Sequence, residues 1–244
     1  MVLALMMNAD NPREVKLWRK VGEGIHQLEQ ILQDVSQLLP GRRVAEFERL
    51  TARIAQSPMP QRRLLVEQAR DLLRADGRVS PRDRLWWLAL RHRMGVQARG
   101  QAFMRPVTGQ GQDLASLSST DLHHVLAMSA YLARVIPCEQ DGPGLPPANR
   151  AWLEAVNQRL SVSETQTVDC VLGTDADALA HALAGLQELS WVLRPQLVKA
   201  WVEEATNHSP QGLMSHDTAD VLRLMAGLLD APLPPMLEAH YKGI

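Results

Sequence analysis

Cysteine is scarce in this sequence. Only Cys138 and Cys170 occur in 244 residues and they form no CxxC pair, which excludes a disulfide framework and leaves a reducing compartment or simple burial as the explanation. Long apolar runs are missing as well. The stretch from Met1 to Met7 has no basic residues before it and meets Asn8 and Asp10 at once, so it is too short for a signal peptide or a bilayer span. No later segment is expected to cross a membrane, and a cytoplasmic location follows as the expectation. Alternating β-branched stretches, the mark of strands, are also lacking, and apolar residues recur at helical spacing instead. The expected fold class is all-α, with about nine helices.

The motifs of common chemistries are absent too. A zincin places two His on one helical face with a Glu between them, as HExxH, to bind zinc and activate water. None of the eight His supplies that pattern: His123 and His124 are adjacent, and His208 and His216 are eight apart across an expected loop. There is no GxSxG elbow and no GxxxxGK[ST] phosphate loop, and Gly22-Glu23-Gly24 falls in a helical stripe. Cys138, Glu139 and Asp141 share one loop but lack a fourth ligand. The sequence therefore predicts a protein that is not an enzyme and needs no cofactor.

What is present begins with charge. Residues 41–105 carry 15 Arg against 6 acids, whereas residues 106–244 carry 7 Lys or Arg against 16 acids. A basic segment of this kind can attract nucleic acid or an anionic surface. No aromatic residues are interleaved in a way that suggests base stacking, however, so Arg on solvated helix faces is the favoured explanation of the surplus.

Along the chain, Asn11 and Pro12 open a helix whose stripe runs through Val15, Trp18, Val21, Ile25, Leu28, Leu32, Val35 and Leu39, with a bend allowed at Gly22 and Gly24. Further helices are expected from about 43 to 55, from Pro60 to 75, and from 81 to 94. After a Gly-rich linker at 97–112, five more fall near 119–136, 148–160, 175–189, 195–207 and 216–230. The division is thus an N-terminal helical unit at 1–96, the linker, and a C-terminal helical unit at 113–244.

The most informative feature is Asp76-Gly77-Arg78-Val79-Ser80-Pro81-Arg82-Asp83. Gly77 suits the left-handed end of one helix, Ser80 the N-cap of the next, Pro81 its first position, and Asp83 the return arm of a capping box. A weaker echo lies at Gly212 to Ser215, 135 residues on, and raises the idea of a duplicated unit.

These residues carry a family resemblance. The segment LLVEQARDLLRADGRVSPRDRLWWLALRHRM resembles the helical TerB-like unit in the C-terminal cytosolic region of bacterial HtpX-like membrane zinc metallopeptidases. VLALMMNADNPREVKLWRKVG, DALAHALAGLQELSWVLRPQLVKAW and VLRLMAGLLDAPLPPML resemble other parts of that region in the same order. Gln211-Gly212 stands where the family usually has Asp-Gly, and Asp83 where it often has Glu. The family's peptidase half is missing. The resemblance implies a non-catalytic interaction or regulatory module beside such a peptidase, peripheral to the inner membrane through its partner.

Two further readings stay open. One is an Arg-rich adaptor for nucleic acid or an anionic surface through residues 41–105. The other is a divalent-metal sensor using Asp76 and Asp83, although capping explains both positions and two carboxylates are few for a hard cation. For partner binding the candidates are Trp86 and Trp87, with Arg78 and Arg82 beside them. Adjacent tryptophans cannot both face one core, so one is expected at a partner surface. The other four, Trp18, Trp152, Trp191 and Trp201, are expected in core or inter-helix packing.

Overall fold

The computed structural model describes residues 1–39, 41–96, 113–137, 144–160 and 176–242. Among them are twelve α-helices, two single 3-10 turns and no strand, so the all-α expectation holds. The chain divides into two compact units, 1–99 and 100–243. The expected linker at 97–112 lies outside the described residues.

Unit 1 is built around the N-terminal apolar run. Val2–Met6 forms a five-residue helix, α1, with every residue buried, and it packs against α3 (Leu28–Ser36), α4 (Arg42–Ile54) and α5 (Met59–Leu73). A helix this short cannot satisfy its own last carbonyls. Arg43 of α4 does so, donating Nε–H to Leu5 O at 2.5 Å and Nη2–H to Met7 O at 2.6 Å. Around this centre, α5 also packs on α2 (Pro12–Val21) and α6 (Pro81–Arg93), and α4 packs on α6.

The long N-terminal stripe is not one helix. Asn11 caps α2 as expected, accepting from Arg13 N–H at 3.1 Å, but α2 stops at Gly22 and the backbone turns left-handed at Gly24 and Gln27 before α3. A Cβ at Gly22 would project 2.5 Å from a terminal methyl of Leu28, which would have to swing aside. After the break the stripe loses its burial. Ile25 and Leu39 are each 54 % exposed, and α3 contributes no fully buried residue.

Unit 2 contains a 3-10 turn at Leu114–Ser116, then α7 (Ser119–Leu132), α8 (Pro147–Arg159), α9 (Ala176–Glu188), α10 (Leu193–Asn207), a 3-10 turn at Pro210–Gly212, α11 (His216–Leu228) and α12 (Pro235–Lys242). Its most extensive helix pair is α7 with α9, while α10 packs on α8, α11 and α12. Two fully buried indoles hold the middle. Trp201 of α10 donates its ring N–H to Ser129 Oγ of α7 at 2.9 Å, and Trp152 of α8 donates to the Trp201 carbonyl at 3.4 Å. Both rings bury their area without orphaning the N–H.

The two inter-helix loops share local geometry. Gly77 and Gly212 both have positive φ, and Ser80 and Ser215 both cap the following helix. They differ in the return arm: Asp83 reaches back to Ser80, whereas Thr218 sends its hydroxyl to the Pro137 carbonyl at 2.5 Å. No helix among the described residues is long and apolar enough to cross a membrane.

Candidate functional site

The loop between α5 and α6 has the expected caps. Ser80 Oγ accepts the Asp83 N–H at 3.1 Å while Asp83 Oδ2 accepts the Ser80 N–H at 2.9 Å, a complete capping box. Asp76 is equally occupied. Its Oδ1 accepts the Arg78 N–H at 2.8 Å, its Oδ2 accepts Asn11 Nδ2–H at 3.0 Å, and its carbonyl accepts from Arg13 at 3.3 Å. Asn11 also donates to Glu14, which takes the Asn8 N–H at 2.8 Å.

Glu14 joins Asp76 and Asp83 electrostatically, a neighbour that sequence separation hides. Burial pushes the Glu14 carboxyl up, and the charges of Asp83 and Asp76 add to the effect. Asp83 is raised by burial first, with Asp76 contributing. Among the described residues no three His, Cys, Asp or Glu side chains form a group able to hold a metal ion, so Asp76 and Asp83 gain no third ligand here. Cys138, Glu139, Asp141 and Cys170 lie outside the described residues.

The adjacent tryptophans differ in exposure, Trp86 being buried and Trp87 half-buried. Trp86 is buried with its ring edge-on to Phe47 of α4 at 4.8 Å and under the Arg43 guanidinium at 5.9 Å. Trp87 is half-buried, donates its ring N–H to Val66 O of α5 at 3.3 Å, and carries Arg91 over its ring at 4.9 Å. Two faces of α6 meet two different helices, so each indole has its own site. Arg78 is exposed and Arg82 half-buried.

The exposed indole is Trp191, at 81 %, and sequence reasoning placed it in the core. It stands on the turn between α9 and α10, flanked by Leu189 and Leu193, which are fully buried. Arg194 holds this turn by donating to Leu189 O at 2.9 Å, to Leu229 O at 3.3 Å and to Gln187 O. Gln187 in turn donates to Leu228 O at 2.7 Å. The apolar neighbours read as one helical stripe; only the turn geometry shows that Trp191 leaves it.

Two histidine pairs among the described residues of unit 2 join different helices. His124 of α7 lies 5.1 Å from His181 of α9, ring centre to ring centre, and its buried Nδ1 has no hydrogen-bond partner. Burial lowers its pKa, as do His181 and His123. His216 opens α11, and its Nδ1 meets His240 Nε2 of α12 at 2.9 Å. Beside them Tyr241 donates to Asp220 at 2.9 Å, and Arg223 covers the Tyr241 ring at 4.5 Å.

No known family, curated protein or solved structure matches the chain. The likeness to the HtpX-associated helical region rests on the quoted segments alone.

Proposed function

We propose that this chain is a non-catalytic protein-binding module and that unit 2 engages its partner through the Trp191 turn. One observation carries this reading: an indole 81 % exposed on a turn whose backbone is held by Arg194 and Gln187. Covering it on binding is worth on the order of 3 kcal/mol from apolar area. The turn is already fixed, so little ordering entropy opposes that gain. Trp is also over-represented among residues that dominate binding energy. The resemblance supplies the partner class, a membrane zinc metallopeptidase bearing HExxH. Unit 2 has 8 Lys or Arg against 16 acids, which favours a basic rim on that partner.

A photo-crosslinking residue at position 191, compared in native cells with one at exposed Leu213, tests the proposal. The expected result is a discrete adduct from 191 alone, containing a peptidase with HExxH. An adduct with an unrelated protein would overturn the peptidase assignment, and no adduct from 191 would overturn the docking site.

Charge favours a second reading for unit 1, which has 18 Lys or Arg against 11 acids and exposes Arg53, Arg63, Arg74 and Arg78. Contact with an anionic surface is strongest at low salt. Absence of vesicle or nucleic-acid binding at low ionic strength removes this reading.

A further inference from the structure

We infer that His216 and His240 form a two-imidazole chelate for a late first-row divalent metal ion of the Cu2+ or Ni2+ type. The pair belongs to neither the Asp76 loop nor the Trp191 turn. Its nitrogens, Nδ1 of His216 and Nε2 of His240, face each other at 2.9 Å, with ring centres 4.7 Å apart and planes at 65°.

The two distances together separate a cis pair on one ion from a straight hydrogen bond or a tetrahedral pair, and a bent hydrogen bond gives them as well. A straight hydrogen bond between imidazoles at this nitrogen spacing would hold the ring centres about 5.2 Å apart. Two rings bound cis on a tetragonal or octahedral ion, each nitrogen at about 2.05 Å, place the nitrogens about 2.9 Å and the centres about 4.5 Å apart. A tetrahedral ion spreads the same atoms to about 3.3 Å and 5.2 Å. The observed pair of values is nearest the cis arrangement, and imidazole suits Cu2+ and Ni2+.

Both rings are held from behind. His216 is the first residue of α11, whose entry is fixed by the Ser215 cap. His240 sits in the last turn of α12, anchored by fully buried Leu237 and by the Tyr241 bond to Asp220. Among the described residues no third donor joins the pair, and His216 is exposed, so water fills the remaining positions. The helix N-terminus disfavours a cation there, and the Asp217 carboxylate in the same turn offsets this. The hydrogen between the rings moves to the far nitrogen of its own histidine, leaving both facing lone pairs for the ion. Bound metal then ties α12 to α11.

Calorimetric titration of the whole chain with Ni2+ and Cu2+, with Mg2+ as control, tests this. The wild type is expected to take up one more equivalent of Ni2+ than His216→Ala or His240→Ala, or to bind it at least tenfold more tightly, with Mg2+ giving no signal. Hydrogen exchange gives a second reading: Ni2+ slows exchange across residues 235–242 in the wild type and not in His216→Ala. Equal Ni2+ uptake by the wild type and the double variant would overturn the chelate. Tighter binding of Zn2+ than of Cu2+ would overturn its cis geometry.

Discussion

Asn11 donates one amide hydrogen to Asp76 at 3.0 Å and the other to Glu14 at 2.8 Å, across 65 residues in the first case. The residue that starts α2 therefore also fastens the loop between α5 and α6. The Asp76 carboxylate thus accepts bonds both from α2's cap and from its own loop.

Replacement of Asp76 by Ala removes the bonds to Asn11 and to the Arg78 N–H. The expected loss is about 1–2 kcal/mol, measured by urea unfolding, with no dependence on added divalent cation. Stabilisation of the wild type by Ca2+ or Mg2+, absent in Asp76→Ala, would contradict the structural role.

The capping box at Ser80 predicts non-additivity. Ser80→Ala costs about 1 kcal/mol. Asp83→Ala removes the opposite arm of the same reciprocal pair, so the double variant should fall short of the sum of the two single losses. Unfolding free energies of the four proteins check this.

His124 and Gly185 predict a rescue. A Cβ at Gly185 would sit 1.9 Å from His124 Nδ1, so Gly185→Ala overpacks the α7 and α9 pair and costs about 1–3 kcal/mol. Adding His124→Ala opens that space. The double variant should therefore regain stability relative to Gly185→Ala despite losing the imidazole, a reversal read directly from melting temperatures.

The same histidine sets a pH dependence. Burial, together with His181 and His123, lowers its pKa from the ordinary 6.5, with Asp121 and Glu188 opposing. The native state thus holds fewer protons at this site than the unfolded state, and stability falls as pH drops through 6.5 until the lowered native value is passed. His124→Phe should show a smaller stability loss between pH 7.5 and pH 5. An equal loss would place the acid sensitivity elsewhere.

What the sequence made legible was local. The Asn11-Pro12 start of α2, the Ser80 box and the all-α class follow from caps and spacing a few residues long. Burial was harder to read. Ile25 and Leu39 continue the spacing of Val15 and Trp18, but the chain breaks at Gly22 and carries them out of the core. The helix at Val2–Met6 was too short to be read from periodicity, and its carbonyls depend on Arg43, 36 and 38 residues away. Trp86 and Trp87 point to different faces of α6, as adjacency requires, but only the structure shows that these faces meet α4 and α5. Trp191 had apolar neighbours on both sides, and its exposure is set by a turn that Arg194 ties to the end of α11.

The most direct test of the account compares recovery of a protein partner by the tagged 244-residue chain and by its Trp191→Ala variant from native cells, with melting temperatures measured alongside. Because the indole is exposed, its removal should leave the melting temperature nearly unchanged, while recovery of the proposed partner falls at least tenfold. Equal recovery by both proteins, or a fall matched by loss of fold, would contradict the claim that Trp191 is where the partner docks.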